Sequence, residues 1–304
     1  MMDFEEFTGN ILRAVSAKAD GAFQVRKDEV VKNNNVKRTG ISVVKEEAAV
    51  GLRVYLDGLY REYESGGMKF DEAVDEAYRL ALEYGEDTPD ADIPGFCRWE
   101  TVHKDIYPKL VNAKQNKELL EKMPHRNFMD LAVVYYAVAR DHAQEDIGTI
   151  PVHNGHMEMW GLEEENLYQT AMMNMRADGE AVFITLETMV KRILPGIALP
   201  EKGGNALRNT GMYILTNRRR RFGAAEILDK KTLRMVADKV GDGFTVLPSS
   251  LHESIVLPAR EEAEYGRLAD MVREVNDTQV DAEERLSYHV YVYSRDDEML
   301  KIVV

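Results

Sequence analysis

Cysteine is almost missing from this 304-residue chain, where Cys97 stands alone. One thiol excludes an intramolecular disulfide and any zinc or iron–sulfur centre built from several thiolates of this chain, and it fits a reducing compartment. Long hydrophobic runs are missing as well. No window approaches the roughly 18 consecutive apolar residues that a membrane-spanning helix requires. The first residues, MMDFEEFTGNILRAV, carry acids in place of the basic start and long apolar stretch of a secretory signal. The expectation is therefore a cytoplasmic protein without membrane contact. The glycines form neither G-x-G-x-x-G nor G-x-x-x-x-G-K-S/T, so nothing local supports a nucleotide cradle, and no cofactor is expected. Positive charge is in deficit, with 39 lysines and arginines against 53 acids and a net charge of −14. Such a molecule repels nucleic acid as a whole, and a protein partner is the expectation. The sequence carries no signal for oligomeric state.

What is present is a foldable soluble composition: 44 % apolar and 30 % charged residues exclude a disordered chain. Phe4, Phe7, Ile11, Leu12 and Val15 recur at helical spacing, which predicts an amphipathic helix over residues 4–17. AFQVRKDEVV, RTGISVVKE and AVGLRVYLDGLY alternate apolar with polar residues around NNN and EEA, the pattern of a three-stranded antiparallel meander. A helix follows over residues 70–84, and GEDTPDADIPG reads as an exposed loop. The continuous apolar run of FMDLAVVYYAVA predicts one strand buried on both faces. Asn154 is placed to cap a short helix, and Leu167, Ala171 and Met175 mark the inner stripe of a longer one. LPGIALPEKGGN has the strongest linker composition in the chain. Beyond it, GFTVLP and ESIVLP read as a hairpin joined by SSLH. A helix follows with Tyr265, Leu268, Val272 and Val275 inward, and then two terminal strands around the turn RDDE.

Strands mixed with helices without strict βαβ alternation predict an α+β fold. It comprises a small N-terminal antiparallel sheet with helices (1–94), a central mixed α/β region (95–204) and a C-terminal antiparallel sheet with helices (205–304). The last two regions are open to packing as one domain.

Five stretches in combination, YLDGLYREYESG, MPHRNFMDLAVVYY, HNGHMEMWGLEEENLYQTAMMN, YILTNRRRRFGAAEIL and GFTVLPSSLHESIVLP, resemble a family of uncharacterised bacterial proteins known as a domain of unknown function. That family is frequent in low-GC Gram-positive anaerobes and their mobile elements. The order of LAVVYY, WGLEEENLYQTAMMN and FGAAEIL is more distantly similar to the YtpQ-like proteins, also uncharacterised. The resemblance spans nearly the whole chain and implies one continuous unit with a bacterial, accessory role. It brings no functional residue with it.

Three clusters are candidates for chemistry. Ser249, Ser250, His252 and Glu253 have the residue types of a nucleophile, base and acid. The glycine pattern of a nucleophile elbow is absent, and the favoured reading is a strand–turn–strand connection. His153 and His156, with Glu158, could converge on a metal, although helical zinc sites use a four-residue step between histidines. Capping and surface roles are favoured there. Arg218, Arg219, Arg220 and Arg221 could clamp phosphate or acidic groups through their guanidinium forks. The region from Asn205 to Arg234 has eight basic residues against two acids, and from Arg260 onward twelve acids face six basic residues. The plain reading is a solvated turn whose charge offsets that acidic tail. Acid runs such as EDTPDAD and LEEENL read as solvated loops and helix starts.

With no catalytic motif found, the reading from sequence is a non-catalytic interaction or regulatory protein. One alternative is a hydrolase using Ser250, His252 and Glu253, or a metal on His153 and His156. The other is a binder of acidic, phosphate-bearing or nucleic-acid ligands through Arg218–Arg221.

Overall fold

The computed structural model describes residues 2–21, 23–44, 52–86, 93–140, 146–193, 211–259 and 262–304. The chain forms two compact units, Met1–Ile93 with Arg140–Ile147, and Pro94–Ala139 with Gly148–Val304. In the first, α1 (Phe4–Ala19) starts at Asp3, whose carboxylate accepts from the Glu6 amide, the usual way an N-cap satisfies a free helix donor. Its Phe7, Ile11 and Val15 are buried, one helical turn apart. Strands β1 (Gln24–Val31), β2 (Lys37–Val44) and β3 (Leu52–Tyr55) form the expected antiparallel meander in the order β1-β2-β3. Helices α2 (Asp57–Glu64) and α3 (Phe70–Glu86) follow, and Ala73, Val74 and Ala77 of α3 join the α1 stripe in one core. The segment YLDGLY is not extended throughout. It turns helical at Asp57, an acid suited to a helix's first turn, once Leu56 has entered the core.

The second unit begins at Pro94, inside the short helix α4 (Ile93–Phe96). The chain continues through α5 (Trp99–Val102), β4 (Ile106–Asn112), α6 (Lys117–Leu120), β5 (Arg126–Phe128), β6 (Leu131–Arg140), β7 (Asp146–Pro151), α7 (Asn154–Trp160) and α8 (Glu164–Ala177), with Arg140 of β6 and Asp146–Ile147 of β7 counted in the first unit. Then come β8 (Val182–Thr185), α9 (Leu186–Ile193), β9 (Tyr213–Thr216), a 3-10 helix (Gly223–Leu228), α10 (Lys230–Val240), β10 (Gly243–Leu247) and β11 (Ser254–Pro258). Helix α11 (Glu262–Gln279) and strands β12 (Tyr291–Ser294) and β13 (Met299–Ile302) complete it. One sheet centres on β6, paired with β4, β5 and β7; the other runs β13-β12-β10-β11-β9-β8. Leu131 to Val138 are all buried, as their apolar run requires: Leu131, Val133, Tyr135 and Ala137 share a core with Leu167 and Ala171 of α8, Ile227, Leu233 and Val236 near α10, and Phe244, Val256 and Tyr291 of the six-stranded sheet, while Ala132, Val134, Tyr136 and Val138 pack in smaller clusters. Each fully buried side chain of this kind stabilises the unit by about 1.5–3 kcal/mol. The fold is α+β, and among the described residues no helix is long and apolar enough to cross a membrane.

Several local expectations change. FMDLAVVYYAVA is two strands, because Met129 takes a left-handed φ of 56° and Phe128 pairs with Leu131 across a two-residue turn. The cap of α7 is His153; the Asn154 side chain instead donates to the Glu121 carbonyl. In α11, Tyr265, Leu268 and Val272 pack inward as expected, beside the buried Ala269 and Asn276, whose amide donates to the Ser287 carbonyl, whereas Val275 is 36 % exposed. The hairpin forms as expected, with Leu247 opposite Ile255. The LPGIALPEKGGN linker, EEA and most of GEDTPDADIPG lie outside the described residues.

Candidate functional site

The C-terminal end of α8 is pinned by Asn174, whose side-chain amide donates to the carbonyls of His103 (2.7 Å) and Ile106 (2.9 Å) at the start of β4. Helix α8 closes on Asp178, and Gly179, at φ +106°, turns the chain toward β8. Strand β8 pairs antiparallel with β9, Val182 opposite Thr216, so continuing the register past that end of the ladder brings residues 178–180 against residues 218–220. Asn217 shapes the turn there. Its side chain donates to the Arg221 carbonyl (2.8 Å) and accepts from the Arg221 amide (3.2 Å), while Arg220 and Phe222 adopt left-handed φ values of 51° and 54°.

Two of the four arginines are thereby aimed inward. Arg219 donates to Asp178 (2.9 Å) and to the Tyr107 hydroxyl (2.9 Å), with its guanidinium 4.6 Å from the centre of the Tyr107 ring. The Tyr107 hydroxyl in turn donates to Asp178 (3.0 Å). Burial pushes the Tyr107 phenol up to about 12, against the opposing charge of Arg219. Arg218 lies flat on Gly179: a Cβ added there would sit 3.0 to 3.2 Å from all three outer guanidinium atoms.

The opposite wall comes from the 3-10 helix and α10. Gly223 fits only without a side chain, because a Cβ would fall on the Thr216 hydroxyl and within 2.6 Å of the His252 carbonyl. Ala224, Ala225 and Ile227 are buried, and Glu226 goes in with them at 5 % exposure. Asp229 caps α10 by accepting from the Thr232 amide (3.1 Å), and Arg176 of α8 donates to its other oxygen (2.8 Å). The Thr232 hydroxyl lies 3.3 Å from Asp229 and 3.5 Å from Glu226; with one proton to give, it serves one of them at a time. Burial, and next the charge of Asp229, push the Glu226 carboxyl up to about 8, so it is protonated at neutral pH.

Between these walls lies a cleft of about 320 Å³. Met175, Glu226, Asp229 and Thr232 form its buried part, and Arg176, Glu180 and Lys231 its exposed rim. A narrower lobe adjoins it, lined by Tyr107, Tyr136, Asn217, Arg218 and Arg219, and both share Met175, Gly179, Glu180 and Glu226. Among the described residues, neither Arg218 nor Lys231 forms an ion pair, so two cations at the cleft are uncommitted.

The other sequence candidates are placed differently. Arg220 and Arg221 shape the turn and do not line the cleft. Among the described residues, Arg219 of the run pairs with Asp178, and the acidic tail supplies Glu298 to Arg234. Ser249 and Ser250 are buried, not exposed on a turn, because the backbone from Pro248 to Leu251 bonds to residues 284–287. Ser250 Oγ accepts from the His252 amide (3.1 Å) and its hydroxyl bonds to Glu253, whose carboxyl is pushed up by burial. His252 Nδ1 accepts from the Phe222 amide (3.3 Å), its ring stacks on Phe222, and Nε2 lies 3.5 Å from Glu284. Ser250 and Glu253 are thus brought together, whereas His252 engages Phe222 and Glu284. His156 Nδ1 accepts from the His153 amide (3.0 Å), and its ring packs edge-on against Phe96; Glu158 is exposed. Among the described residues, no group of three or more His, Cys, Asp or Glu is arranged to hold a metal ion.

Glu226, Asp229, Arg176 and Asp178 escaped the sequence reading. The one signal was a lone acid in the otherwise apolar FGAAEIL, where it has no solvated face to occupy.

The sequence model of a family of unknown function, DUF5688, matches residues 4–295. No curated protein and no solved structure matches the chain.

Proposed function

The chain belongs to that family of unknown function, and from the cleft around Glu226 we propose that it binds a small anionic ligand bearing a carboxylate, phosphate or similar oxyanion. One observation carries the reading: a cleft of about 320 Å³ with Lys231 on its rim shares its buried floor at Glu226 with a narrow lobe that Arg218 lines, and both cations lack ion-pair partners among the described residues. That volume lies at the small end of ligand pockets. Asp229 and Asp178 are neutralised by Arg176 and Arg219, which leaves the local balance positive despite the net charge of −14.

A macromolecular partner gripping all four arginines draws less support, since Arg219 is already engaged by Asp178 and Tyr107. The reading keeps the protein in a bacterial cytoplasm, where the exposed, unpaired thiol of Cys97 stays reduced. Calorimetric titration of the full chain with sulfate, phosphate and short dicarboxylates should give saturable one-to-one binding. Arg218→Ala combined with Lys231→Ala should weaken it by roughly tenfold or more, the effect of about 1.4 kcal/mol. A wild-type protein that shows neither binding heat nor a thermal shift with any of these anions sinks the reading.

A further inference from the structure

Glu226 is the odd group in an anion site. It is a carboxyl, it is the deepest polar side chain of the cleft at 5 % exposure apart from Asp229, and unlike Asp229 it has no cation against it among the described residues. The one hydroxyl within reach, that of Thr232, is shared with the nearer and charged Asp229. A neutral carboxyl in such a place has a proton to give; the Thr232 oxygen, 3.5 Å away, is the one long-range acceptor on the protein side, and the open side of the group is the cleft. Resting on the reading of the cleft as an anion site, we propose that Glu226 is its specificity-determining residue. Its protonated carboxyl donates a hydrogen bond to a ligand oxygen, so the cleft takes a fully deprotonated oxyanion and takes it together with a proton.

The surroundings fit this division of labour. Arg218 and Lys231 supply charge at the rim, where a cation still attracts an anion arriving from water. The carboxylates that face Glu226 are occupied: Asp229 by Arg176, Asp178 by Arg219, with Glu180 exposed at the mouth. Tyr107 and Tyr136, the phenols of the adjoining lobe, are both pushed up by burial and stay protonated through the alkaline range. Glu226, up at about 8, is the cleft group that changes charge on the alkaline side of neutrality. Once ionised, it would set a buried negative charge against the ligand's own. A ligand with a bare acceptor oxygen is therefore selected over one that presents an O–H or an ammonium at that point.

Sulfate is the probe of choice because it stays a dianion throughout, so any pH dependence of its affinity belongs to the protein. The wild-type Kd should be level to about pH 7.5 and then rise towards tenfold per pH unit. Titrations near pH 9 in buffers of different ionisation enthalpy should report uptake of close to one proton per sulfate. Glu226→Gln, which keeps a donor that cannot ionise, should bind sulfate at pH 9 as tightly as wild type does at pH 7. Absence of sulfate binding at every pH would overturn the anion-site reading itself. Binding with a level pH profile, or affinity that grows with pH, would overturn only the proton-coupled role of Glu226. The proton count on the wild type decides the matter even if the variant does not fold.

Discussion

A buried carboxyl that keeps its proton affects stability as well as binding. Glu226 is raised from an ordinary 4.5 to about 8 in the folded chain, so between those pH values the native state holds a proton that the unfolded state has released. Its contribution is fully present below about pH 4.5, declines as pH rises, and is gone above about pH 8. The loss is on the order of several kcal/mol, which in a domain of this size is on the order of ten degrees of melting temperature. Glu226→Gln should therefore gain progressively on wild type from pH 5 to pH 8 in thermal denaturation; parallel curves for the two proteins would contradict the buried, protonated assignment. Little of this was legible in the sequence. Serine, histidine and arginine attract notice because their chemistry is familiar, whereas Glu226 is marked only by the apolar company it keeps in FGAAEIL. Its neighbour Asp229 and the Arg176 that neutralises that neighbour are 53 residues apart in the chain, a separation that no local motif spans.

At the scale of elements, hydrophobic period did most of the work that sequence can do. The alternation of AFQVRKDEVV and the four-residue step of Phe7, Ile11 and Val15 each admit one geometry, and each formed. What period cannot show is a reversal inside an apolar run. Met129 and Asp130 fold β5 back on β6 because of a backbone angle, not a change of polarity. The loop from Asn217 to Phe222 is a similar case. Four arginines read as a solvated turn, yet the β8–β9 register beneath them dictates that two line a cleft. Gly223 holds the base of that loop, where any Cβ meets Thr216 and the His252 backbone. Gly223→Ala should cost about 3–4 kcal/mol in urea unfolding, at the severe end of single substitutions, and should abolish sulfate binding in whatever remains folded. A variant of wild-type stability would mean that the loop and the His252 segment can part without loss.

The whole molecule holds two units with separate cores, one around Phe7 and Ile41, the other around Tyr135 and Phe244. Every residue assigned to the cleft belongs to the second. Calorimetric unfolding should accordingly show two transitions, of which sulfate raises one. Phe7→Ala, a core truncation costing about 3–5 kcal/mol, should lower the other. A single transition moved by both would show that the units unfold as one.

The ladder between β8 and β9 has a consequence for the history of such chains. Its cleft end is fixed by Val182 opposite Thr216, while the polypeptide between the two strands departs after Thr185 and re-enters at Tyr213, at the far end. Insertions and deletions in that interval fall outside the ladder and leave the spacing of residues 178–180 and 218–220 unchanged. A change of length between Thr185 and Tyr213 thus leaves the jaws of the cleft at their gauge.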